Sequence, residues 1–258
     1  MRLFGTLKRM YGSGKCKMIT TTTIKLTNNS KVRFHKAHYN TFSLTQGLPH
    51  HGGSCPGATC GEGGCVDVCY DCNLRKLYKA YAAVEDRNFD LVKGKTREEL
   101  YPILSGTVKA WRLTTGAEEP YFRLHTGGDM YDEEYTYAWA ATIEENPDIK
   151  FWAYTRSLFA VPILADLDNL TLFLSCDPVN KESVLAVYEK YKNRPNVAVA
   201  WMGNDPPELE DRAMLVCPEV TKKLKNTKDI GACTRCRACI DRPLKSGKIR
   251  HIQFPIHR

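Results

Sequence analysis

Between residues 121 and 217, short apolar runs alternate with stretches of helical spacing, and this alternation constrains the fold more than any other feature of the chain. The runs at 121–125, 151–155, 170–175 and 197–201 read as strands, with 214–217 as a further one. The stretches at 132–145, 158–167 and 181–192 read as the helices between them. Strands that alternate with helices in this way form right-handed βαβ units and a buried parallel sheet. Upstream, 41–44 reads as a short strand, and 73–92 and 97–111 as helices. No GxGxxG follows the first strand, which argues against a dinucleotide-binding fold. The expected fold class is α/β, a full or partial (β/α) TIM-like barrel. Its expected divisions are an N-terminal arm over 1–40, a barrel-like domain over 41–216 and a cysteine-rich basic extension over 217–258.

Nine of the eleven cysteines fall in two clusters, one in the Gly- and Pro-rich loop after the first strand and one beyond the last. The first holds Cys55, Cys60, Cys65, Cys69 and Cys72, in which 65, 69 and 72 form C-x3-C-x2-C. The second holds Cys217, followed by a proline, and Cys233, Cys236 and Cys239 as C-x2-C-x2-C. Thiolates so spaced can converge on a soft metal centre. At 258 residues the chain can bury a substantial core, so neither metal nor disulfides are needed merely to fold it. No signal-peptide h-region precedes residue 24, which points to a reducing compartment where clustered cysteines hold metal rather than disulfides.

C-x3-C-x2-C can place three thiolates on a 4Fe-4S cluster and leave one iron without a protein ligand. An open iron of that kind can bind S-adenosylmethionine and act on it by one-electron transfer. The second set matches the ferredoxin spacing with a distant Cys-Pro and suggests a closed four-thiolate cluster. A structural zinc site at the C-terminal cysteines is the alternative, as is one site shared by both ends. Five cysteines stand in the first loop, so its ligand choice is open. Cys176 ends an apolar strand and reads as a small buried hydrophobe.

In a barrel, active sites gather where strands end. Those ends carry His125, Gly127, Gly128 and Asp129, then Tyr154 and Arg156, then Asp177. Asp177 is equally well a helix cap, and His125 a core histidine. Arg156 calls for an anionic partner. These residues are the candidates for a substrate pocket. The net charge of +8 is accounted for by a solvated basic surface. The arginines and lysines around the second cysteine cluster leave nucleic-acid contact as a minor expectation. No apolar run is long enough to cross a membrane. Substrate and oligomeric state leave no mark in the sequence.

The loop between an early strand and its helix, carrying C-x3-C-x2-C ahead of βα repeats, resembles that of radical SAM enzymes. Gly127-Gly128-Asp129 is similar to their Gly-Gly-Glu stretch, which implies a hold on the amino group of S-adenosylmethionine. A narrower resemblance rests on Phe122-Arg-Leu-His-Thr-Gly-Gly-Asp-Met-Tyr131, Tyr135-x3-Trp139 and Pro147-Asp-Ile-Lys-Phe-Trp-Ala-Tyr-Thr-Arg156. With Cys55-Pro-Gly-Ala58, Cys65-x3-Cys69-Tyr70 and the Cys-Pro and cysteine-rich tail, these strings resemble the phage gene product 88 domain family from about residue 41 to 239. That resemblance implies an iron–sulfur protein of phage origin in a bacterial host cytoplasm, with no assigned reaction. Cys55, Cys65 and Cys69 match the family pattern best, so Cys55 can take the place of Cys72. The readings are a radical or redox enzyme on an unknown substrate, a non-catalytic iron–sulfur protein (electron carrier, redox sensor or assembly factor), and a zinc-stapled nucleic-acid-binding module.

Overall fold

The computed structural model describes residues 24–27, 29–32, 40–118, 120–227, 229–241, 243 and 246–256. Most of the expected arm, 1–40, lies outside them. Of the part within, Ile24 is buried, and Thr27 forms an antiparallel bridge to Thr41.

Seven strands form one all-parallel sheet. They are β1 (Thr41–Phe42), β2 (Tyr121–Leu124), β3 (Lys150–Thr155), β4 (Leu170–Cys176), β5 (Val197–Met202), β6 (Met214–Val216) and β7 (His251–Phe254). Their order across the sheet is β1-β2-β3-β4-β5-β7-β6. The helices are α1 (Tyr70–Leu77), α2 (Lys79–Val92), α3 (Arg97–Thr115), α4 (Glu133–Glu144), α5 (Val161–Leu164), α6 (Lys181–Tyr191) and α7 (Ala232–Cys236). The α/β class with parallel strands is as the alternation predicts, but the sheet does not close. Its edges are β1 and β6, so a complete barrel is ruled out in favour of an open sheet.

The reason for the opening lies on the sheet's two faces. Period-two alternation sends Phe122, Leu124, Phe151, Ala153, Leu172, Leu174, Val197 and Val199 to one side, where they pack with Trp139, Ile143, Leu164 and Val184 of the helices. The other side, which a barrel would turn inward, carries Tyr121, Trp152, Phe173, Ala198 and Ala200. Ala238, Ile240 and Ile249 from the C-terminal segment pack against it, and Ile252 of β7 extends it beside Ala200. Each fully buried isoleucine contributes about 1.5–3 kcal/mol relative to exposure. That segment also supplies β7, which lies between β5 and β6, so residues 217–258 complete the sheet as well as carrying cysteines.

Two expected helices are subdivided. Over 73–92 the chain leaves helical geometry at Tyr78 (φ −120°, ψ 87°), and α2 folds back on α1. Arg75 then reaches Glu85 at 2.9 Å and Asp86 at 2.7 Å. Over 158–167 a 3-10 turn (Leu158–Ala160) precedes α5, whose first turn holds Pro162. Asparagines just ahead of strands staple the connections. Asn169 Nδ2 donates to the carbonyls of Ile143, Asn146 and Ile149, and Asn196 Nδ2 to those of Ala165, Leu167 and Leu170. They fix where β4 and β5 begin, and so how far their opposite ends project toward the site.

Candidate metal centre

A cavity of about 1610 Å³ opens at the C-terminal ends of the strands. It is larger than an ordinary ligand pocket of roughly 300–1,000 Å³. Cys55, Cys65, Cys69 and Cys72 line it, and so do Cys217, Cys233, Cys236 and Cys239. The two sets, distant in sequence, therefore share one space. Cys60 is exposed and Cys176 is fully buried, and all ten described cysteines are free thiols. Among the described residues, no three His, Cys, Asp or Glu side chains approach closely enough to hold a single metal ion.

The first set rides on a loop pressed against the strand ends. A Cβ on Gly57 would lie 2.2 Å from the Arg156 carbonyl oxygen, so only glycine allows this approach. The Cys55 amide donates to the Gly47 carbonyl at 2.8 Å. The Thr59 amide donates to Cys65 Sγ at 3.4 Å, and the Thr59 hydroxyl accepts from the Cys65 amide at 2.8 Å. Cys69 stands at the N-cap position of α1, where the nearby amides of Cys72 and Asp71 favour its thiolate form. The amides of Glu219 and Val220 do the same for Cys217.

Burial pushes the thiols of Cys55, Cys69, Cys217 and Cys239 up, and that of Cys233 up to about 11. In the first set the sulfurs of Cys69 and Cys65 raise Cys55 further and that of Cys65 raises Cys69, and in the second Cys239 feels Cys233, Cys217 and Cys236. Crowded, buried, neutral thiols make poor nucleophiles. A metal centre would reverse this, because a coordinating thiol is deprotonated outright. The soft donors, their convergence on one cavity and the amides near their sulfurs all suit an iron–sulfur cluster, whose ligands are spread over several irons.

The predicted pocket residues divide by what they touch. Tyr154, Arg156, His125, Gly127, Gly128 and Asp129 line the cavity, whereas Asp177 does not. Asp177 Oδ2 accepts from Arg156 Nη1 and Thr59 Oγ1, each at 2.5 Å, and Oδ1 accepts from the amides of Val179 and Asn180. It ties the cysteine loop to the ends of β3 and β4 and is the anion that Arg156 calls for. The Asp129 carboxylate accepts from the Met130 amide, the Thr155 hydroxyl and the Arg156 amide, each at 2.7 Å. It thereby joins the exits of β2 and β3.

His125 leaves β2 at φ 59°, a left-handed conformation uncommon outside glycine. Its Nε2 pairs with the Tyr135 hydroxyl at 2.8 Å, and its Nδ1 is buried without a partner. Burial, and then the Arg123 charge, bring its pKa down to about 3, so it stays neutral. Gly127 and Gly128 are required by packing. A Cβ on Gly127 would meet Asp71 Oδ2 at 2.2 Å and Glu85 Oε1 at 2.5 Å, and one on Gly128 would meet Ser54 Oγ at 2.6 Å. The tail's charges are partly spent internally: Arg237 Nε donates to Asp241 Oδ1 at 2.8 Å, and Arg235 donates to the Lys225 carbonyl.

Sequence reasoning passed over Arg123, Tyr70 and the acids behind Gly127. Arg123 could have been found as a cation in the middle of an apolar strand, on the alternate face from Phe122 and Leu124. Asp71 and Glu85 are buried, with Tyr81 donating to Asp71 Oδ1 at 2.8 Å. Burial holds the carboxyl of Glu85 up to about 8.

An open parallel α/β sheet with two cysteine sets on one cavity at its C-terminal edge defines a cysteine-rich α/β protein. The chain belongs to the family described as Gene product 88, which matches residues 13–242. It is similar to the Gene 88 protein of Mycobacterium phage L5, 33% identical over 201 residues that cover 76% of this chain and 82% of that protein. It is likewise similar to the Gene 88 protein of Mycobacterium phage D29, 31% identical over 207 residues with the same coverage. No solved structure matches it significantly. Among the described residues, no helix is long and apolar enough to cross a membrane.

Proposed function

We propose that this is an iron–sulfur protein that works in the cytoplasm of a phage's bacterial host. The observation that carries the reading is the meeting of eight predicted ligand cysteines, from opposite ends of the chain, around one cavity. Cys55, Cys65 and Cys69 would hold a 4Fe-4S cluster by three thiolates, with Cys72 the alternative third ligand. Cys217, Cys233, Cys236 and Cys239 would hold a second, closed one. A cluster with an open iron supplies one-electron reduction of S-adenosylmethionine. The open sheet then corresponds to a partial barrel of the radical SAM kind. Its cysteine loop follows β1 and its Gly-Gly-Asp follows β2. Tyr154, Arg123 and the backbone of Gly127 and Gly128 would shape the space beside the cluster.

One observation favours a non-catalytic iron–sulfur protein as a second reading: Asp129, Asp177 and Arg156 are spent on one another and on the backbone. Anaerobic purification with iron and acid-labile sulfide assays tests the common ground, and both should be present. Zinc without sulfide would return the protein to the zinc-stapled reading. Reduction with S-adenosylmethionine should then release 5′-deoxyadenosine. None from a fully loaded sample favours the non-catalytic reading.

A further inference from the structure

Arg123, on β2, lines the cavity that both cysteine sets share. Its Nη2 donates to the Tyr70 hydroxyl at 3.3 Å, and Tyr70 directly follows Cys69. Its guanidinium lies 5.4 Å from the centre of the Tyr154 ring. Tyr154 is stacked on Phe173 at 5.0 Å and packs in the same apolar cluster as Cys233 and Cys239 of the second set. Arg123 Nε is buried with no partner, and the Arg123 charge also reaches the buried Asp71 carboxylate. A guanidinium presents five donors and is rarely left facing a cavity without an anion.

We propose that Arg123 is the shared counter-charge of the two cysteine centres, linked to the first through Tyr70 and to the second through Tyr154. The proposal rests on the iron–sulfur reading and assigns Arg123 a positioning and charge-balancing role rather than a chemical one. Reduction adds an electron to a centre that is already anionic. A fixed cation facing both centres stabilises both reduced forms and raises both potentials. Tyr154, in contrast, serves the second centre alone.

The test is an anaerobic redox titration followed by electron paramagnetic resonance, on wild-type, Arg123→Met, Arg123→Lys and Tyr154→Phe proteins of matched iron and sulfide content. Arg123→Met should move both midpoint potentials to more negative values, and Arg123→Lys should largely restore them. Tyr154→Phe should lower only the potential of the second centre, and it stands as an independent check if Arg123→Met does not fold. Loaded variants whose potentials do not move, or an Arg123→Met change confined to one centre, would overturn the shared counter-charge and leave the iron–sulfur reading intact. Wild-type protein without labile sulfide would overturn both.

Discussion

His251 is a conspicuous titrating side chain away from the cysteines. Its Nδ1 accepts from the Val199 amide at 2.9 Å, and its Nε2 faces Asp211 at 3.2 Å. Burial takes its pKa down to about 4 despite the opposing pull of Asp211. The folded form therefore resists a proton that the unfolded chain accepts near 6.5. Stability should be fully present above about 6.5 and fall as the pH drops toward 4, by up to about 1.4 kcal/mol per pH unit for this group. Denaturant melts across that range check it, and His251→Gln should flatten the slope. Cysteine replacements test the ligand choice. Cys55→Ala should lose the iron of the first centre, whereas Cys72→Ala should keep it, as read by iron and sulfide content. The reverse result would restore C-x3-C-x2-C as the ligand set.

The strands were legible because buried parallel strands are continuous apolar runs and the helices between them keep a 3.6-residue face. The exception is β7, His251–Phe254, which alternates polar and apolar residues and follows no helical stretch. Its place between β5 and β6 is a tertiary fact with no local signal. The cysteine loop was legible as a thiol-bearing loop after the first strand, but its seating was not, because that depends on glycines whose neighbours are remote in sequence. Gly127→Ala drives a methyl into Asp71 and Glu85. It should cost about 1–3 kcal/mol by overpacking, measured by chemical denaturation, and loosen the contact between loop and strand end.

The cavity exists because the C-terminal segment fills the face that a closed barrel would have turned inward. The sequence separated residues 217–258 on composition and charge, which describe their surface and not what they cover. Ile252 pairs with both Ala200 and Leu215 and is buried. Ile252→Ala should cost about 2–5 kcal/mol, a large part of the stability of a domain of this size. Deleting residues 217–258 should yield protein that aggregates, because Phe173, Ala198 and Trp152 would then face water. Size-exclusion chromatography reads the outcome.

The slot taken by β7 also sets an order on biosynthesis. Among the described residues β6 pairs only with β7, and β7 is the last of the described strands in chain order. Until residues 251–254 emerge, β6 has no neighbour, and Cys217, at its end, has no fixed place on the cavity it shares with the first cysteine loop. The cavity can therefore be assembled only once residues 251–254 have left the ribosome. A chain cut short before residue 251 would present the first cysteine loop without a placed Cys217.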